Sequence, residues 1–192
     1  MMNPEKIMLA VSVIVLPILL LLVSFQTTLF FSTLTPGQEE VMLYVQDRAA
    51  VPLNYTTAEQ SHLQDVQKVF QGVDYIFYAV LLVIVVILFY SIKNQLQLSK
   101  LCWYGGISTV VFTGILLIAM ALSFESSFTL FHTIFFPQGN WTFPVESLLI
   151  QTFPLEFFIS MGKMIFLQTV LGGSLFIVGG YWLQHASQNR RP

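Results

Sequence analysis

Four long apolar runs dominate the polarity pattern of the chain: Ile7–Phe25, Val73–Ile92, Gly105–Phe124 and Met164–Leu183. Each is close to the roughly 20 residues an α-helix needs to cross a bilayer. None contains Lys or Arg, and the one acid, Asp74, sits at the edge of the second run. The first run, with Pro17 inside it, is longer than the about 7–15 apolar residues of a signal-peptide core. It is followed by Phe25-Gln26-Thr27, which offers no small-x-small cleavage site, so it is expected to remain as a span. The predicted fold class is an all-α polytopic membrane protein with four transmembrane helices, organised as a single membrane domain over residues 1–192.

Two longer polar segments separate these runs, Gln26–Gly72 and Glu125–Lys163. Thr35-Pro36-Gly37-Gln38 has the Ser/Thr-x-x-Glu/Gln capping pattern, with Pro at the first helical position, where its missing N–H costs nothing. The spacing predicts a short helix to about Asp47, presenting Val41, Met42 and Val45 on one face. Thr56-Thr57-Ala58-Glu59 is a second capping box. The helix it opens carries Leu63, Val66, Phe70, Val73 and Phe77 at three- and four-residue spacing, so it should run straight into the second span. Gly72 is the expected kink. Residues 124–158 hold nine of the eighteen phenylalanines together with Trp141, interrupted by Pro137, Gly139, Pro144 and Pro154. Ordinary interfacial belts favour Trp and Tyr. A folded, aromatic-rich cap dipping into the outer leaflet fits this composition better, with Pro154 opening a helix that leads into the fourth span.

Composition agrees with lipid as the main solvent. Charged residues make up 9% of the 192, hydrophobic ones 55%, and mean hydropathy is +0.73. Such a chain cannot cover a water-facing surface. Eight scattered basic residues and a net charge of −2 argue against nucleic-acid binding, which needs a clustered basic face. The lone Cys102 excludes an intrachain disulfide. Lys6, Lys93, Lys100, Arg190 and Arg191 fall on one side of the spans; Arg48, Lys68 and Lys163 fall on the other. That split predicts cytoplasmic termini and two extracellular segments, where function is expected.

Two of the three histidines lie in those segments. His62 has Glu59 and Asp65 as its i−3 and i+3 neighbours, either of which would orient the ring and raise its basicity. The alternative is a solvated histidine with incidental acidic neighbours. His132 stands in an apolar run and must find a partner or be desolvated; the alternative is a structural histidine bonded to a backbone carbonyl. His185 follows the last span and reads as a tail residue. A zinc-like set of His62, Asp65, His132 and Glu125 or Glu146 is conceivable, although no HExxH spacing is present. No GxSxG nucleophile motif occurs. The spans lack the mid-membrane charge a transporter wants, and Gly172-Gly173 and Gly179-Gly180 read as close helix packing.

The stretch Phe131-His132-Thr133-Ile134-Phe135-Phe136-Pro137-Gln138-Gly139-Asn140-Trp141-Thr142-Phe143, with His62-Leu63-Gln64-Asp65-Val66 upstream, resembles the lipoprotein intramolecular transacylases. The resemblance covers essentially the whole chain, and the FHxIFFPxGNWxF core is long and unusual. It implies a bacterial plasma-membrane acyltransferase that moves an acyl chain from the glyceryl sn-2 oxygen of a diacylglyceryl-modified lipoprotein to the amine of its N-terminal cysteine. The product is a lyso-form lipoprotein. His62 and His132 would be the catalytic pair, working without metal or other cofactor. Here His62 is expected as base, oriented by Asp65 or Glu59, and His132 as proton donor. Asn140 is an oxyanion candidate, and Phe131, Phe135, Phe136, Trp141 and Phe143 would bind substrate. Attack closes a ring of about eight atoms, so confinement matters. Besides the lipoprotein, membrane lipid is the expected partner. The rival readings are a metal-dependent membrane hydrolase and a non-enzymatic four-helix membrane adaptor.

Overall fold

The computed structural model describes residues 3–188. Arg190 and Arg191, used in the orientation argument, lie outside the described residues. Seven helices follow one another: α1 Pro4–Phe31, α2 Pro36–Val45, α3 Thr57–Ser91, α4 Gln95–Leu122, α5 Phe124–Phe135, α6 Leu148–Thr152 and α7 Leu155–Gln188. No strand occurs among the described residues.

The helices α1, α3, α4 and α7 are each long and apolar enough to cross a membrane. A helix of 28 residues, such as α1, is about 42 Å long, beyond the roughly 30 Å hydrocarbon core. Every expected span lies within a longer helix except at two edges: α3 ends at Ser91, and α4 stops at Leu122. The reason for the second is local. Ser123 adopts an extended conformation and its hydroxyl accepts the Ser126 N–H at 3.2 Å, capping a new helix, α5. The helix α3 is continuous through Gly72, where the sequence suggested a kink. The helix α7 begins at Leu155, one residue beyond the Pro154 start the sequence suggested. Pro154 instead contributes its carbonyl, which accepts the Phe157 N–H.

Contacts group the chain into two compact units. Among the described residues, the first contains 3–29, 77–118 and 163–188. Its apolar side chains remain outward-facing along α3, with Leu82 and Phe89 64% and 77% exposed. Surface of this kind is stable only against lipid. Its helices approach one another through small residues. A Cβ added at Gly106 would lie 2.7 Å from the Gly173 carbonyl oxygen, and one at Gly180 would lie 2.7 Å from the Trp103 backbone nitrogen. Close backbone approach replaces the hydrophobic drive that lipid does not supply. One glycine of each expected pair carries this packing: Gly173 and Gly180 are crowded, whereas Gly172 makes ordinary contact and Gly179 meets nothing. Thr27 on α1 donates its hydroxyl to Gln168 Oε1 on α7 at 2.7 Å.

The second unit, residues 30–76 and 119–162, has its own core. Val41, Tyr44 and Val45 of α2, Tyr55, Leu63 of α3, Leu149 of α6 and Phe153 are buried together. The Leu63–Val66–Phe70 stripe predicted on α3 packs here, and Met42 lies at the margin. Both predicted capping boxes form. Thr35 accepts the Gln38 N–H while Gln38 Oε1 accepts the Thr35 N–H. Thr56 and Glu59 exchange the same pair of bonds.

Candidate active site

The aromatic-rich segment that the prolines seemed to break contains a helix of twelve residues, α5, running up to Phe135. Helical spacing places Phe128 one turn before His132. The Phe128 carbonyl lies 2.8 Å from His132 Nδ1, and the two rings are 4.0 Å apart. A carbonyl only accepts, so Nδ1 carries the proton and the neutral ring presents its lone pair at Nε2. Phe128 was not singled out in the sequence. Its i−4 spacing from His132 was the available signal, once the segment is read as helix.

Beyond α5 the chain turns through Pro137-Gln138-Gly139, with the Gly139 N–H donating to the Phe136 carbonyl at 3.0 Å. Gly139 has φ +76°, in the left-handed region that glycine occupies without penalty. The turn brings Asn140 and Trp141 back beside the two histidines.

His62 and His132 are both buried, with ring centroids 6.3 Å apart and planes inclined by 28°. Aromatic rings surround them. Phe136 stands 4.8 Å from His62 and 5.4 Å from His132; Phe143 lies 5.7 Å from His62, and Trp141 4.9 Å from His132. Phe131 touches His132 at 5.4 Å. Phe135 packs on Phe131, and both rings are nearly half exposed. Burial pushes the His62 ring down to about 4; the neighbouring His132 adds to this, while Asp65 and Asn140 oppose it. Burial also lowers His132, against the opposing bond from Phe128. Both rings are therefore neutral at physiological pH.

The two carboxylates read as partners of His62 are engaged elsewhere. Glu59, 2% exposed, accepts the Leu149 N–H at 2.9 Å through Oε1, and the Thr56 N–H and hydroxyl, both at 2.8 Å, through Oε2. Burial raises its carboxyl, but these bonds outweigh that and hold it below the usual range. It clamps the start of α3 to the start of α6. Asp65 accepts Lys68 Nζ, Gln138 Nε2 and Asn140 Nδ2, each at 2.8 Å. The bond from Lys68 is the largest influence holding its carboxyl low, against burial. The Asn140 amide nitrogen, considered as an oxyanion donor, is directed to Asp65, with a long contact to the Ser61 hydroxyl at 3.5 Å. Among the described residues no three His, Cys, Asp or Glu side chains form a metal-binding group. The set His62, Asp65, His132 with Glu125 or Glu146 does not assemble as one.

Four membrane-crossing helices define an integral membrane protein, and two neutral imidazoles within aromatic walls form a constellation suited to proton transfer. Comparison with known proteins gives the particular family. The model of the lipoprotein intramolecular transacylase family Lit matches residues 32–158. The chain belongs to that family, and it is an acyltransferase.

The solved membrane-integral lipoprotein intramolecular transacylase Lit from Bacillus cereus is similar in fold. It has a TM-score of 0.80 at 21% identity, covering 96% of this chain and 97% of that one. Variants of that protein carrying a histidine-to-alanine or a histidine-to-arginine mutation match with TM-scores of 0.78 and 0.75, also at 21% identity. They cover 96% and 97% of this chain, and 95% of the other chain in each case. No curated protein matches the sequence.

Proposed function

We propose that His62 and His132 carry the acyl transfer, from the sn-2 glyceryl oxygen of a diacylglyceryl lipoprotein to its N-terminal cysteine amine. The observation that supports this most directly is the pair of neutral imidazoles within an aromatic wall, 6.3 Å apart. In the reaction one N–C bond forms and one C–O bond breaks. An amine with a pKa near 8 arrives largely as ammonium. It has two protons to lose, while the departing glyceryl oxygen needs one. Two imidazoles suit that exchange, and the remaining proton leaves to solvent.

The tautomer of His132 supports the base role for it, because Nε2 is the free lone pair. This reverses the preference drawn from sequence, which rested on carboxylates beside His62 that prove to be engaged elsewhere. His62 would take one of the ammonium protons and return it to the glyceryl oxygen as the C–O bond breaks; its imidazolium, with a pKa of about 4, gives that proton up readily. Phe136, Phe143 and Trp141 would exclude water, favouring aminolysis over ester hydrolysis. Phe131 and Phe135, half exposed, would receive the lipid chains. In the sequence, Lys6, Lys93, Lys100, Arg190 and Arg191 on one side against Arg48, Lys68 and Lys163 on the other support cytoplasmic termini in a bacterial plasma membrane, with His62 and His132 outside. No nucleic-acid partner enters this reading.

Mass spectrometry of lipoprotein N-termini from cells carrying His62→Ala or His132→Ala tests it. Each variant is expected to leave diacyl substrate unconverted. Lyso-form product from both would overturn the assignment.

A further inference from the structure

Asp65 anchors a polar network with an unfinished end. Its Oδ2 receives both Gln138 Nε2 and Asn140 Nδ2 at 2.8 Å. An ionised carboxylate can only accept, so the amide of Asn140 has one orientation: nitrogen toward Asp65, oxygen away. That oxygen, Oδ1, is buried without a hydrogen-bond partner, and so is His62 Nδ1. One is an acceptor and the other becomes a donor when protonated. Two buried orphans in one small site are costly apart and satisfied together. The Asn140 side chain is near enough to the His62 ring to favour its charged form.

We infer that Asn140 is the positioning residue of His62: Asp65 aims the amide, and the amide oxygen receives the Nδ1 proton. His62 then has the tautomer that the Phe128 carbonyl imposes on His132, with Nε2 left to exchange protons. A side-chain amide does for one ring what a backbone carbonyl does for the other. Gly139, Gln138 and Lys68 act behind this contact: the first by the turn that delivers Asn140, the others by bonding Asp65. The inference rests on the acid–base reading of His62, so its test needs a readout independent of turnover.

That readout is the tautomer itself, from two-bond nitrogen–proton correlation spectra of the full-length chain, labelled with 15N-histidine, in detergent micelles. The wild-type chain should show His62 as the Nδ1–H form. In Asn140→Ala the ring should move toward the Nε2–H form, and kcat should fall about tenfold or more, as partial loss of one acid–base group allows, with KM little changed. Asp65→Asn keeps the Asn140 side chain but removes the acceptor that aims it, and should shift the tautomer in the same direction. Asp65→Glu should restore part of both signals. An Nε2–H ring in the wild type, or a tautomer unmoved by both Asn140→Ala and Asp65→Asn, overturns the inference. A tautomer that shifts while kcat is unchanged upholds the orientation and overturns the acid–base role of His62 instead.

Discussion

The Nδ1 atom of His132 lies 2.8 Å from the carbonyl oxygen of Phe128, one helical turn earlier on α5. The bond belongs to the backbone, so it survives any substitution of the Phe128 side chain. What that side chain adds is a ring 4.0 Å from the imidazole. The helix therefore sets the tautomer of His132, and the aromatic wall sets its polarity.

Turnover should carry no histidine limb in the usual range. Burial keeps His62 neutral down to about 4 and lowers His132 as well. The unprotonated His62 ring is thus present above pH 6.5 and persists well below it, and the His132 ring stays unprotonated to lower pH than a free imidazole. Transacylation by the reconstituted enzyme should instead rise with pH as the substrate amine deprotonates, with an apparent pKa of about 8. An inflection near 6.5 would contradict the buried, neutral pair.

The same shift links stability to acid. Folded His62 resists the proton that the unfolded chain takes up below pH 6.5. Its contribution is complete above 6.5 and is lost as pH falls toward about 4. Thermal midpoints in detergent should decline through that window, and His62→Gln should flatten the decline. A slope unchanged by His62→Gln would assign the acid sensitivity to other groups.

Glu59→Gln separates architecture from chemistry. The amide cannot accept at both ends, so either Leu149 or Thr56 loses its buried acceptor. The expected cost is about 1–3 kcal/mol, read as a lowered thermal midpoint with the pH profile of turnover unchanged in shape. A displaced profile would return Glu59 to the proton chemistry.

Gly139→Ala places a Cβ in open space but at φ +76°. The penalty is therefore one of backbone conformation, about 1–2 kcal/mol. Because the turn delivers Asn140 and Trp141, kcat should fall by more than the loss of folded protein explains. Equal losses in both would make the turn merely structural.

In the first unit, Gly106→Ala and Gly114→Ala form a controlled pair on one helix. A Cβ at position 106 meets backbone at 2.7 Å, whereas at 114 it meets nothing within 4 Å. The first should destabilise the folded protein by about 1–3 kcal/mol through overpacking. The second should be neutral or slightly stabilising, as removal of a helical glycine allows. Thermal unfolding in micelles distinguishes them.

Much of the helical architecture was legible in the sequence because its causes are local. Apolar length and missing charge set the four spans. Thr35 with Gln38, and Thr56 with Glu59, set two helix starts through atoms three residues apart. The Phe131–Phe143 motif and His62 resembled one enzyme family, to which the chain belongs.

The rest depended on distance in the chain. That His62 faces His132, 70 residues on, is a matter of packing α3 against α5, and no local pattern states it. Glu59 and Asp65 looked equivalent beside His62 at i−3 and i+3. Only the fold supplies the Leu149 N–H that claims one and the Asn140 amide that claims the other. Hydrogen-bond demand in a buried site is satisfied by whichever partner the tertiary structure brings near, so sequence neighbours determined the helices and tertiary neighbours decided the site.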